Sequence, residues 1–304
     1  MDALVDPFCA GSRRRTTARL LPRLRLRLRG VQRRHRRPGA IRHQGAFLEY
    51  GYVDQDRNWS GTSSAPSADN DDKQLATAFY TAGAQFSLGP DWNLGFAIPY
   101  LDRSLTSADA GPVQTVHHDG LGDVRVSAKY TGFSADRSSG IEAGMKLPTG
   151  AHDTPGFDRD TDFGTGTTDL LLGAYHLANF GSDAQWTGFA RAQFSYALAG
   201  RAGYRPGNEM DAIFGLSYAG WTFGRRSTLA PVLELIAVDR GRDSGAQAMS
   251  EDTGYSKLLL APGLEWDRGN FKLYADVEFA LYQDVVGNQL VAERQYKATL
   301  SYQF

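Results

Sequence analysis

The sequence predicts an all-β protein, a transmembrane antiparallel barrel of about twelve strands. Three observations carry that reading. Apolar and polar residues alternate with a period of two from Gly45 to the last residue, Phe304. Many alternating segments run about 9–13 residues, where a tilted strand crossing a bilayer needs about 9–11 and a strand of a soluble sandwich centres on five or six. The connections alternate between long and short, as they do where a barrel keeps long loops outside the cell and short turns on the periplasmic side.

Taken in order, a first strand spans about 45–53. Ala76, Ala78, Tyr80, Ala82, Ala84, Phe86 and Leu88 then make one face of a second, and Gly-Pro-Asp at 89–91 turns the chain into Trp92, Leu94, Phe96, Ile98 and Tyr100. Val124, Val126, Ala128 and Tyr130 alternate with Asp123, Arg125, Ser127 and Lys129. Ile141, Ala143, Met145 and Leu147 alternate with Glu142, Gly144 and Lys146. A strand near 169–177 follows, whose two faces the pattern does not distinguish, and then one over 186–198 that includes Arg191 on its polar side. Met210, Ala212, Phe214, Leu216 and Tyr218 oppose Glu209 and Asp211, and a strand over 228–238 carries Glu234. Leu258, Leu260, Pro262, Leu264 and Trp266 oppose Lys257 and Glu265. Phe271 through Leu281 opposes Lys272, Asp276 and Glu278. The last strand places Tyr296, Ala298, Leu300, Tyr302 and Phe304 on a single face. Long connections are expected near 54–73, 101–119, 148–168, 199–207, 239–255 and 284–289.

Composition agrees. The 304 residues are 41% hydrophobic and 12% aromatic, with 34 glycines and a single cysteine, Cys9. The mean hydropathy of -0.40 and the lack of a long apolar run exclude a helical membrane protein, while an alternating barrel averages to ordinary hydropathy. Charge is unevenly placed: residues 1–42 hold 13 of the 33 basic residues, all arginine, and leave 20 bases against 32 acids in the remainder. Residues 1–44 therefore read as an Arg-rich segment from a non-native or mis-called start, standing where a secretory signal belongs, with a nucleic-acid arm or an organellar presequence as the other readings. Residues 45–304 form the barrel. Its acidic balance disfavours nucleic acid as a partner.

Lipid cannot satisfy polar groups, so the apolar face points outward and the charged face lines the lumen. Candidate lumen residues are Asp123, Arg125, Lys129, Glu142, Lys146, Arg191, Glu209, Asp211, Glu234, Lys257, Glu265, Lys272, Asp276 and Glu278. They serve either as a charge ladder that holds strand register or as a field that selects solutes. The partners expected are the lipid bilayer of a bacterial outer membrane and, through Tyr296, Leu300, Tyr302 and Phe304, the barrel-assembly machinery, because this ending resembles the C-terminal signal of outer-membrane proteins.

Three stretches, GLGDVRVSAKY (120–130), GMKLPTG (144–150) and FGTGTTD (163–169), with AIPYL (97–101) one hairpin earlier, resemble the outer-membrane family named after the meta-pathway of phenol degradation. The resemblance implies a barrel that passes small, often aromatic, solutes, with no catalytic residues. Read physically, Gly120 and Gly122 allow a bend or a positive φ where a loop enters a strand. Pro148 ends a strand. No cofactor motif is present. A calcium loop over Asp158, Asp160 and Asp162 is weakened by Phe163 where glycine is needed and by Asp169 at the twelfth place. His117–His118 lacks a third ligand. Two readings stand beside transport: a lipid-modifying enzyme using His176 with a serine, and a closed anchor barrel.

Overall fold

The computed structural model describes residues 44–109, 111–181, 185–200, 203–223 and 227–304, so the Arg-rich segment of the first 43 residues lies outside it. Twelve antiparallel strands form the wall: β1 Gly45–Gln55, β2 Asp72–Ser87, β3 Trp92–Ser107, β4 Val124–Tyr130, β5 Ser139–Leu147, β6 Thr168–Phe180, β7 Trp186–Ala199, β8 Glu209–Tyr218, β9 Ser227–Arg240, β10 Tyr255–Arg268, β11 Phe271–Val291 and β12 Arg294–Gln303. Each pairs with its sequence neighbours, and β12 pairs with β1 from Gly45↔Gln303 to Val53↔Gln295, which closes the barrel. Closure leaves no raw strand edge in the wall, the condition for a sheet to sit in lipid.

The outward face is predominantly apolar. Leu48, Phe86, Leu94, Phe96, Leu172, Phe214, Leu264 and Leu300 are all exposed. Such a belt has no place in water and fits the hydrocarbon of a bilayer. Three aromatic groups ring its short-turn end: Trp92–Tyr130–Phe133, Trp186–Tyr218–Trp221 and Phe271–Tyr302–Phe304, with centroids 4.8–6.5 Å apart within each group. Aromatic girdles of this kind sit at the membrane interface. On β6, Leu172, Ala174, His176 and Ala178 face out while Asp169 and Tyr175 face in, which resolves the strand whose faces the sequence left open.

Several expected loops are shorter than the alternation indicated. β3 runs on to Ser107 and pairs with a segment at Gln114–Leu121, so the 101–119 connection shrinks to a turn around 108–113. Arg57–Gly61 continues the line of β1 and pairs with the end of β11, which reverses at Gly287, φ 66°. Above the bilayer, strands need no apolar face, so their hydrogen bonds continue where the hydrophobic pattern has stopped.

Inside the wall, large rings lie over glycines of the neighbouring strand. A Cβ on Gly83 would meet the Phe47 ring at 2.2 Å, one on Gly140 the Tyr175 ring at 2.3 Å, and one on Gly215 the Phe189 ring at 1.9 Å. These pairings fill the narrow lumen and help fix register. Ile213, Ile236, Leu259 and Ala261 form a buried apolar patch on the inner face of β8–β10, packed against Phe189 and Val238.

Candidate functional site

The site is built by the loop between β5 and β6, residues 148–167, which folds into the barrel mouth. Its anchor begins in the wall. β3 pairs with β4 up to Ala97↔Arg125 and with the preceding segment from Tyr100↔Leu121, so Gly122 and Asp123 form a bulge opposite Pro99, which has no N–H to offer a ladder. The bulge turns Asp123 inward, where it is buried. Its Oδ1 accepts from Gly150 N at 3.0 Å, and its Oδ2 accepts from Thr165 N at 3.0 Å and from Thr165 Oγ1 at 3.2 Å. One carboxylate thus holds both ends of the loop.

Gly122, Gly150 and Gly164 meet at this anchor. A Cβ on Gly164 would fall 2.8 Å from Gly150 Cα and 2.7 Å from Asp123 Oδ1. Neither Gly120 nor Gly122 adopts a positive φ. Of the bend or positive φ expected there, the bend is what forms, as the bulge at Gly122–Asp123, and Gly122 adds closeness of approach. The stretches at 97–101, 120–130, 144–150 and 163–169 are distant in sequence and form one interlocked knot.

The loop is fixed further by Arg103 of β3, which donates through Nη1 to the carbonyls of Thr161 and Asp162 (3.0 Å to the latter) and through Nε to Thr77 Oγ1. Lys146 reaches Asp169 at 2.5 Å. Asp162 accepts from Thr154 N and Oγ1 at 2.9 and 2.7 Å and from Phe163 N at 2.8 Å, so of the three carboxylates weighed as calcium ligands this one caps the loop's own backbone. Two further loops lock against it. Arg159 stacks 4.8 Å over the Tyr204 ring, Tyr204 donates to Asp243 at 2.6 Å, and Asp243 also takes Arg240 at 2.9 Å and Gly207 N at 2.7 Å. Burial and the adjacent Asp243 hold the Tyr204 hydroxyl well above its ordinary pKa. Burial likewise raises the Asp160 carboxyl, with Arg240 acting in the opposite direction.

Beneath this cap lies a lumen cavity of about 220 Å³. One side is the apolar patch of Ile213, Ile236, Val238 and Leu259; the other carries Phe79, Pro99, Leu101 and Phe163, with Tyr204 and Tyr255 at the mouth. Of the fourteen candidate lumen residues, Asp123, Arg125, Lys146, Asp211, Lys257 and Glu278 line it. The rest pack elsewhere in the lumen. Glu142 lies 4.0 Å from Lys129 and 3.7 Å from Arg191, Lys272 lies 3.1 Å from Glu265, and Glu209 takes the Tyr255 hydroxyl at 3.4 Å. Glu234 is buried, and Asp276 pairs with Lys297 at 3.1 Å.

Lys297, Glu49, Arg103, Phe163 and Tyr204 belong to the cavity and were not among the sequence candidates. Lys297 stands on the polar face of the last strand and could have been named from alternation alone. Glu49 on β1 carries the same signal, while Arg103, Phe163 and Tyr204 depend on strand extension and on how loops fold in, which alternation does not encode. His176 is outward-facing, with its Nδ1 2.8 Å from Ser139 Oγ. No carboxylate among the described residues is within hydrogen-bonding distance of it, so the pair lacks the third member a triad needs.

Residues 60–225 match the family described as "Putative MetA-pathway of phenol degradation". The chain belongs to that family. The matched span covers more than half of the sequence and contains the whole knot around Asp123. No curated protein matches the chain. Among solved structures, an outer-membrane channel from Pseudomonas putida F1 is similar at TM-score 0.63 and 13% identity, over 90% of this chain and all of that one. The β domain of the Bordetella autotransporter BrkA is similar at TM-score 0.50 and 12% identity, over 86% of this chain and all of that one. Both likenesses are of fold. This family member is an outer-membrane β-barrel, and its lipid-facing belt agrees.

Proposed function

We propose that the barrel passes small aromatic or apolar solutes across the outer membrane by way of the capped cavity. The observation that carries this reading is the cavity's lining: an aliphatic wall facing aromatic rings inside a lumen otherwise crowded with charge. Pockets for small ligands are mostly apolar with a few placed polar groups, and this one has that balance. At about 220 Å³ it exceeds the ~150 Å³ apolar cavity that suffices for benzene in another protein. The P. putida protein, named a channel, has the same fold. The lumen charges divide in a way that suits passage: bases outnumber acids on β3–β7, and acids outnumber bases from β8 round to β1, so a transverse field crosses the route.

The short-turn half of the lumen is packed. Ala261, Glu234 and Ser301 are 0–2% exposed. Movement beyond the cavity therefore requires side chains to shift, and the conducting path is narrow and occasional. The test is single-channel current from the full chain refolded into planar bilayers, with toluene or phenol added. Discrete steps that the solute blocks support the proposal. A folded barrel that stays silent and releases no solute from loaded vesicles overturns it in favour of an anchor. The C-terminal face of Tyr296, Leu300, Tyr302 and Phe304, exposed along β12, supports its role as the signal to the assembly machinery; Phe304→Ala should then lower the yield of assembled barrel in cells but not in detergent refolding.

A further inference from the structure

Seven cationic side chains border the cavity, and Arg125 and five others are already engaged. Lys146 is taken by Asp169, Lys297 by Asp276 and Glu278, and Arg240 by Asp243. Arg103 and Arg159 are bound to loop carbonyls. Lys257 differs. Its Nζ lies 4.1 Å above the ring of Tyr255, and no carboxylate among the described residues comes within 4.0 Å of it. Glu209, which acts on it electrostatically, is held instead by the Tyr255 hydroxyl at 3.4 Å.

An ammonium has three protons to donate and nothing to accept. Here it stands on β10 beside Val238, at the upper edge of the aliphatic wall formed by Ile213, Ile236 and Leu259. Holding a charge against apolar surface is costly unless an anion meets it. The surroundings fit a molecule with two parts: a flat apolar ring to lie on the aliphatic wall, and an anionic group to meet Lys257 from the cavity.

We infer that Lys257 recognises the carboxylate of small aromatic acids, and that these, rather than neutral hydrocarbons, are the preferred solutes. The inference rests on the transport reading above and narrows it. Anionic oxygen accepts from the ammonium while the Tyr255 face shares the positive charge from the other side, a cation–π contact that keeps the amine aimed. Lys257 acts as a binding and specificity residue, with no chemistry at the solute.

The test is block of single-channel current, and leak from loaded vesicles, using the full chain with benzoate, its neutral isostere benzamide, and phenol. Benzoate should act at lower concentration than benzamide, and Lys257→Gln should weaken benzoate roughly 10-fold or more, the scale of one charge-assisted hydrogen bond. Benzamide should be indifferent to that change. Lys257→Arg should retain most of the benzoate effect, and unchanged heat-modifiable migration on gels should show that each variant folds. Equal benzoate block in wild type and Lys257→Gln, or benzamide as effective as benzoate, overturns the inference. Phenol active with benzoate inert would leave the transport reading standing and remove the carboxylate. If no solute acts, both readings fall.

Discussion

A β-carbon placed on Gly150 would lie 2.9 Å from the carbonyl carbon of Gly122, and as close to Gly164 Cα. Real Cβ atoms do not tolerate backbone at that distance. Gly150→Ala should therefore pry the inward loop from the wall at a cost of about 1–3 kcal/mol, the usual scale of overpacking. The readout is a lower temperature for the heat-induced gel shift together with new protease cleavage within 148–167. Unchanged cleavage would show that the loop accommodates the methyl group.

Asp123 is the chemical half of the same anchor. Asp123→Ala removes the acceptor for Gly150 N, Thr165 N and Thr165 Oγ1 and leaves Lys146 with Asp169 alone. Loss of a buried, hydrogen-bonded carboxylate should cost about 3 kcal/mol. Conductance should become larger and noisier as the cap loosens. Asp123→Asn, which keeps one acceptor oxygen, should show less of both effects; equal effects would point to charge rather than hydrogen bonding.

Lys297 meets Asp276 at 3.1 Å and Glu278 at 3.0 Å at the edge of the cavity, with Glu234 and Glu49 also acting on it. Lys297→Met strands several buried carboxylates, and breaking a buried pair from one side costs about 3–5 kcal/mol. Refolding yield should fall sharply. Lys272→Met, which removes the partner of Glu265 in a less buried pair, should fall much less. Comparable losses would mean that the acidic cluster is not the sensitive element.

Acidity should tighten the cap. Burial raises the Asp160 carboxyl above its ordinary 3.8, and Asp158 and Asp243 push in the same direction. A group that holds its proton more firmly when folded contributes stability in full below its unfolded pKa and loses it as pH rises through the folded value. Loop protection should accordingly decline on going from pH 3.8 toward neutral. Asp160→Asn should flatten that decline when proteolysis of 148–167 is followed against pH, while a slope that persists would assign the effect to Asp158.

The wall was legible in the sequence because lipid enforces alternation at every step: Trp92 to Tyr100 and Phe271 to Phe279 can be read residue by residue. The strand extensions above the membrane were not, since Gln114–Leu121 and Arg57–Gly61 need only hydrogen bonds. The charged lumen residues were placed by the same alternation, yet which of them share the cavity was not. That depends on Asp123 meeting Thr165 across 42 positions of chain and on a bulge opposite Pro99. Gly122 signalled the bend in the sequence, but not the close approach to Gly150 that the same residue permits.

The seam between β1 and β12 joins Gly45 to Gln303, almost the full span of the described chain. It cannot form until β12 has been made. Until then the nascent polypeptide is an open sheet with two adhesive borders and a greasy back, safe neither in the periplasm nor in lipid. A chain lacking β12 is not a weaker barrel; it is a sheet with two open edges. For this molecule the ten residues of β12 decide whether the wall closes.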